Sequence, residues 1–345
     1  MSDCNPLSGY PIQIGGTRDP SLPEYYITIN GFFTNGTQFA ATIPATSGNV
    51  TTSGQVVNGT WSGAGSFQGS PDLSTFTVNI NSSTAGIQGS LNLTSNGAHH
   101  FGCNSTSDAY FTSAIPHGTK LSVAEKLLFT QVGWATTVPG ASFLYYTYSV
   151  GSELINMSIG GVSEVDMTIN GTQLQFTGHG YHDANWSPQP LNAAVSSWYF
   201  GSANVGDYDL SYISVTPTNS TKILNTGYLS RNGIVLQNQC SLQGTKQNDH
   251  SVITPYGSAS DNITGGVNVP TGYIIDYILA NGEKFSFNLS SVAGSQNPDS
   301  IAYHRWVGQA TGGKVGESLS YGQTVFEWLN PSLMTYTTPS ATLVI

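Results

Sequence analysis

Apolar and polar positions alternate with a period of two in short runs along this 345-residue chain, and the runs recur at about ten-residue spacing, as half-buried strands do. Tyr25-Tyr26-Ile27-Thr28-Ile29, Thr75-Phe76-Thr77-Val78-Asn79-Ile80 and Gly86-Ile87-Gln88-Gly89-Ser90-Leu91-Asn92-Leu93 are examples. The pairs Asn35-Gly36, Asn58-Gly59, Asn170-Gly171, Asn232-Gly233 and Asn281-Gly282 punctuate the runs. Each pair suits a type I′ hairpin, in which both central residues need positive φ. The expected arrangement is an antiparallel meander. One short helix is a candidate at residues 122–128, where Ser122 and Glu125 form a capping-box pattern. Strand and helix patterns do not alternate, which argues against a dinucleotide-binding sheet.

The chain exceeds the usual size of one hydrophobic core. Gly160-Gly161-Val162-Ser163, followed by a fresh run over 166–176, sets the expected boundary near residue 165. The fold expected is all-β, with an N-terminal lipocalin-like β domain over 1–165 and a C-terminal lipocalin-like β-barrel domain over 166–345. A closed up-and-down barrel removes exposed strand edges and leaves room for one small ligand.

Composition supports the β reading, since 40 Gly and abundant Ser, Thr and Asn stand where helix formers are scarce. Only 8% of residues are charged, and the net charge of -10 comes from few bases rather than from acidic runs. No Lys/Arg cluster tracks a phosphate backbone, so nucleic acid and anionic membrane surfaces are poor partners. Six Trp, 18 Tyr and 14 Phe are enough to line a cavity for a hydrophobic small molecule, although most such rings fill sheet cores.

Asn-x-Ser/Thr sequons stand at Asn35, Asn49, Asn58, Asn81, Asn92, Asn104, Asn156, Asn170, Asn185, Asn219, Asn262 and Asn288. N-linked glycans and a secreted or secretory-lumen location are therefore expected, although Asn-Gly-Thr is also good turn chemistry. No membrane-spanning apolar run and no hydrophobic leader is present, and the expectation is that a signal peptide preceding Met1-Ser2 has been removed. Of Cys4, Cys103 and Cys240, one disulfide and one free thiol is the simplest count, and the pair stays open.

Chemistry concentrates in Gly178-His179-Gly180-Tyr181-His182-Asp183-Ala184-Asn185-Trp186, where two imidazoles, a carboxylate, a phenol, an amide and an indole share nine residues. On a strand, Leu174 and Phe176 face one way, and Thr177, His179 and Tyr181 the other. Gly178 and Gly180 leave room for a close approach. Asp183 is placed to fix an imidazole tautomer, as a general acid or base requires. A metal site is not expected, because a spacing of three puts His179 and His182 on opposite faces of a strand. The alternative is a structural role, with these groups tying a junction together through satisfied hydrogen bonds. Tyr303-His304-Arg305-Trp306 is a second candidate pocket wall, or an Arg snorkelling over a surface ring.

Gly180 to Trp186, then Trp198-Tyr199-Phe200-Gly201 and Gly206-Asp207-Tyr208-Asp209-Leu210, with an echo at Tyr321-Gly322 and Glu327-Trp328-Leu329, resemble the fungal branch of the hydroxyneurosporene synthase-like family. The resemblance implies two tandem lipocalin-like domains and an enzyme of natural-product biosynthesis. Several members are Diels-Alderases, including some that join a polyketide o-quinone methide to a terpenoid olefin. One departure matters: Ala184 stands where the family often has a second His, which removes an imidazole pair for water-adding chemistry. A binding-and-orienting chemistry does not need that pair and needs no cofactor.

On this reading Tyr181, His182, Asp183 and Asn185 are the catalytic candidates, and His179, Trp186, Trp198, Tyr303, Trp306 and Trp328 line the substrate. A hydratase, dehydratase or isomerase of a hydrophobic polyene, and a non-catalytic lipocalin-type carrier, are the alternatives. In protein from a glycosylating host, glycopeptide mapping is expected to find Asn185 unmodified, and a glycan there contradicts a buried motif.

Overall fold

A computed structural model describes residues 12–16, 25–32, 38–53, 56–70, 74–95, 159–182, 195–217, 220–244, 249–257, 269–296 and 303–330. These residues form strands and turns and no helix. Strands β1 (Ile12–Gly16), β2 (Tyr25–Phe32) and β3 (Gln38–Pro44) make one sheet. A second sheet is a plain meander of β4 (Gly48–Ser53), β5 (Val56–Trp61), β6 (Gly65–Gly69), β7 (Thr75–Ser82), β8 (Ile87–Ser95), β9 (Ile159–Ile169) and β10 (Thr172–His182).

The third sheet holds nine strands: β11 (Val195–Val205), β12 (Tyr208–Pro217), β13 (Leu224–Arg231), β14 (Ile234–Leu242), β15 (His250–Tyr256), β16 (Gly272–Ile278), β17 (Lys284–Gln296), β18 (Tyr303–Lys314) and β19 (Ser320–Leu329). Every ladder is antiparallel.

Local sequence explains the hairpins. Asn170 and Gly171 take φ of 48° and 78° between β9 and β10, and Asn232 and Gly233 take 51° and 75° between β13 and β14. Both are I′ turns. Asn281-Gly282 lies in the turn where the Leu279 N–H bonds to the Glu283 carbonyl at 2.9 Å. Asn58-Gly59 departs from expectation, because it sits inside β5, opposite Gln68 and Phe67. Here the glycine serves packing: a Cβ on Gly59 would stand 2.0 Å from the Phe67 ring. Asn35-Gly36, the 122–128 helix candidate, Cys4 and Cys103 lie outside the described residues, as does the side chain of Cys240.

The first two sheets share a core. Ile27 and Ile29 of β2 and Ile43 of β3 pack with Trp61, Phe67, Ile80, Ile87, Val165, Met167, Ile169 and Leu174 from the second sheet. Alternation explains the choice: along β7, Phe76 and Ile80 are buried while Thr75, Asn79 and Asn81 are exposed. Residue 165 lies inside β9, and the change from the second sheet to the third falls between β10 and β11.

The nine strands make a nearly closed barrel. The first strand of its meander, β11, is hydrogen-bonded to the last, β19, from Trp198↔Leu329 to Val205↔Gly322. The remaining gap lies between β14 and β15, the two edge strands of the sheet. Aromatic side chains fill the interior, with Tyr212, Tyr273, Tyr277, Phe287 and Phe326 fully buried. Buried phenols need partners. Tyr273 donates to the Glu327 carbonyl at 3.1 Å and Tyr277 to the Ser211 carbonyl at 2.9 Å. Burial pushes the phenol pKa of Tyr212, Tyr273 and Tyr277 well up, so all three stay neutral.

The closure leaves no room at Gly322, where a Cβ would stand 1.7 Å from the Asn204 carbonyl oxygen. Gly322→Ala is expected to lower stability by about 1–3 kcal/mol, read as a lower urea midpoint. An unchanged midpoint contradicts the β11–β19 register.

Candidate active site

The segment singled out by its chemistry ends at the junction of the two bodies. β10 pairs with β9 without a slip from Thr172↔Ile169 to His182↔Ile159, so its two faces stay distinct along its length. Leu174 and Phe176 pack on the first core. Tyr181, of opposite parity, meets Phe200 of β11, the ring centroids 5.5 Å apart and tilted by 50°. Such a pair contributes about 0.5–1.5 kcal/mol beyond the area it buries. The chain leaves β10 and enters β11 through residues 183–194, which carry Asp183, Asn185 and Trp186.

Parity also sets the barrel's side of the junction. Ala203 and Val205 belong to the barrel core and Tyr199 packs against it, so Trp198, Phe200, Ser202 and Asn204 occupy the outer face of β11. Asp209 of β12 stands opposite Asn204, and Tyr228 of β13 opposite Ser211, on that same face. Ser202, Asn204, Asp209 and Tyr228 form the floor of a shallow, open cleft, against which Gly180 and Tyr181 form a wall. Asn204 donates its amide Nδ2 to Asp209 Oδ1, which holds the carboxylate in place. Burial, reinforced by the Asp209 carboxylate, raises the Tyr228 pKa, so this phenol remains a hydrogen-bond donor through neutral pH.

Beside the cleft lies an ion pair. Phe200 stands opposite Glu327, and Glu327 opposite Arg305. Arg305 Nε donates to Glu327 Oε1 at 2.8 Å, and Nη2 donates to the same oxygen. The two side chains are 9% and 8% exposed. Arg305 is thus a buried partner of Glu327 and not a surface Arg over a ring. The sequence-based reading missed this because the carboxylate is supplied by register with β19.

The expected site residues fall into two places. Tyr181 belongs to the junction, and the half-buried Trp198 lies on the outer face of β11. Trp306 and Trp328 lie in the barrel core, where Trp306 stacks on His304 at 5.8 Å and on Phe326 at 5.3 Å, and Trp328 tilts against His304 at 5.6 Å. His179 and His182 lie in β10 opposite Val162 and Ile159, and Tyr303 lies in β18 opposite Leu329. Their side chains, and all of Asp183, Asn185 and Trp186, are outside the described residues. Ser202, Asn204 and Tyr228 are additions. The alternation of Asp209 with Tyr208 and Leu210, across a Gly206-Asp207 turn from Asn204, was the legible signal for the amide–carboxylate pair. Among the described residues, no group of three or more His, Cys, Asp or Glu is placed to hold a metal, and no helix is long and apolar enough to cross a membrane.

The fold is that of a lipocalin-like all-β protein, a barrel of the kind that takes a small-molecule substrate. A family model described as Diels-Alderase-like matches residues 145–331, and the chain belongs to that family. It is an enzyme of that family. Quinolone epoxide rearrangement protein penF of Penicillium thymicola is 29% identical over 299 residues, covering 84% of this chain and 70% of penF. The corresponding protein asqO of Emericella nidulans is 28% identical over 266 residues. That match covers 76% of this chain and 62% of asqO, so the chain spans less than two thirds of asqO's length. The solved structure of CghA with Sch210972 superposes with a TM-score of 0.65 at 17% identity, over 94% of this chain and 85% of that one, a likeness of fold.

Breaking the Arg305–Glu327 pair on one side leaves a buried charge, a loss of about 3–5 kcal/mol. Arg305→Met is expected to lose that much in urea unfolding, and Arg305→Met with Glu327→Leu to recover most of it. A double variant no more stable than the single one contradicts a buried pair.

Proposed function

We propose that the chain is a cofactor-independent pericyclase. It closes a ring on a hydrophobic polyketide or terpenoid substrate in the cleft between the end of β10 and the outer face of the barrel. The observation that carries this reading is the position of Tyr181, which faces Phe200 and the polar floor of Ser202, Asn204, Asp209 and Tyr228. Holding diene and dienophile in a near-attack pose replaces the entropy of an encounter, a contribution of up to about 7–11 kcal/mol in ideal cases. Hydrogen bonds from the Tyr181 and Tyr228 phenols, donors held in place by the fold, would polarise a heterodiene carbonyl. An o-quinone methide-like diene with a terpenoid olefin is the substrate pair the family resemblance suggests. His182, Asp183, Asn185 and Trp186 complete the proposed site from the adjoining segment.

A second reading is an epoxide-opening rearrangement, and two facts favour it. Both curated relatives bear that activity in their names. The cleft also holds a carboxylate, Asp209, which a cycloaddition does not need. In that reaction a phenol, Tyr181 or Tyr228, would hydrogen-bond the epoxide oxygen while Asp209 accepts a substrate proton. The exposed sequon residues Asn49, Asn81, Asn92, Asn170 and Asn288 support the further proposal that the chain passes through a secretory pathway and carries glycans.

Rate, product ratio and solvent deuterium uptake, measured for folded Tyr181→Phe and Asp209→Asn, separate the readings. For a pericyclase, Tyr181→Phe is expected to lower kcat by about 10- to 100-fold with loss of stereocontrol. Asp209→Asn should then leave kcat within a few-fold, with no deuterium incorporated. A loss of about 100-fold or more in Asp209→Asn supports the rearrangement. Unchanged rate and product ratio in both variants rule out this cleft.

A further inference from the structure

The inner wall of the barrel is mostly apolar, but a polar patch lies beside the gap between β14 and β15. There Asn225 of β13, Gln237 and Ser241 of β14, and Ser251 of β15 are 2%, 2%, 4% and 2% exposed. Register and parity turn them inward. Asn225 stands opposite Ser241, and Gln237 opposite the core residue Leu229. Ser251 stands opposite the core residue Tyr277.

Side chains close the gap that no ladder closes. Asn225 donates Nδ2 to the Ser251 carbonyl at 3.0 Å, and Gln237 donates Nε2 to Ser251 Oγ at 2.7 Å. Gly227 permits this approach, since a Cβ there would stand 1.9 Å from Ser251 Oγ. A carbonyl can only accept, so the contact with Ser251 fixes the Asn225 amide with Nδ2 toward β15 and Oδ1 away from it. The result is three buried oxygens, Asn225 Oδ1, Gln237 Oε1 and Ser241 Oγ, that no group among the described residues satisfies. Folded proteins pair nearly all such atoms, with protein groups or with held water.

We propose that this polar patch is a binding site inside the barrel for a neutral hydrogen-bond donor, an O–H or N–H group. The two amide oxygens accept from the guest, and the Ser241 hydroxyl can accept or donate. Water has this chemistry, and a buried water is held by two to four polar partners. In the resting protein the guest is water, and it does for the β14–β15 gap what a ladder does elsewhere. The hydroxyl or amide of a retained organic molecule is the other source of the same chemistry.

A high-resolution crystal structure of the full chain, with native mass spectrometry of the same preparation, tests the site. The expected result is an ordered peak about 2.7–3.2 Å from Asn225 Oδ1 and from Gln237 Oε1 or Ser241 Oγ. An isolated spherical peak with no added mass supports the site with water as guest. Continuous density with a matching released mass supports the site with an organic donor. Amide oxygens turned onto protein donors with no peak overturn the proposal. So does a peak held by short metal-like distances to several oxygens. Gln237→Met, in which Asn225 still ties β13 to β15, is expected to lose or displace the peak, and an unmoved peak in that variant overturns Gln237's part.

Discussion

The hydrogen bonding of β11 to β12 on one side and β19 on the other fixes which of its residues face into the barrel. Side chains alternate on a strand, so a slip of one residue would exchange the two faces completely. With the register as it stands, Ala203 and Val205 join the core, while Trp198, Phe200, Ser202 and Asn204 are left outside, where Phe200 meets Tyr181 of β10 and Ser202 and Asn204 line the cleft. The cleft is therefore a consequence of barrel closure. Its floor belongs to the barrel wall, Tyr181 comes from the neighbouring sheet, and the segment between them carries the densest chemistry in the chain.

The outer wall of the barrel also carries a buried charge pair. A chain with 8% charged residues nevertheless buries one guanidinium–carboxylate pair directly beside Phe200. A hydrophobic pair of similar volume would often be as stable, so stability alone does not account for it. A directional contact between β18 and β19 resists a slip of either strand, and that slip would move Phe200 and the floor. Inside the barrel the polarity is reversed, with neutral phenols donating to backbone carbonyls among stacked rings.

The sequence revealed most of what depends on neighbouring residues. Alternation marked β2, β7 and β8, separated the faces of β10, and placed Tyr181 opposite Leu174 and Phe176. Asn170-Gly171 and Asn232-Gly233 were turns because both positions need positive φ. Asn58-Gly59 has the same letters, yet a ring across the ladder required its glycine. What stayed hidden depends on pairing between distant segments. Nothing near Arg305 announces Glu327, and nothing near Tyr181 announces Tyr228. Trp306 and Trp328 were legible as aromatic, but strand parity, known only with register, places them within the barrel core.

A crystal structure with the reaction product or a close substrate analogue bound tests the location of the chemistry most directly. Ligand density between the end of β10 and the outer face of β11 to β13 is the expected result, with a polar atom in hydrogen-bond reach of the Tyr181 or Tyr228 phenol. Density inside the barrel, among Tyr273, Trp306 and Trp328, would contradict it.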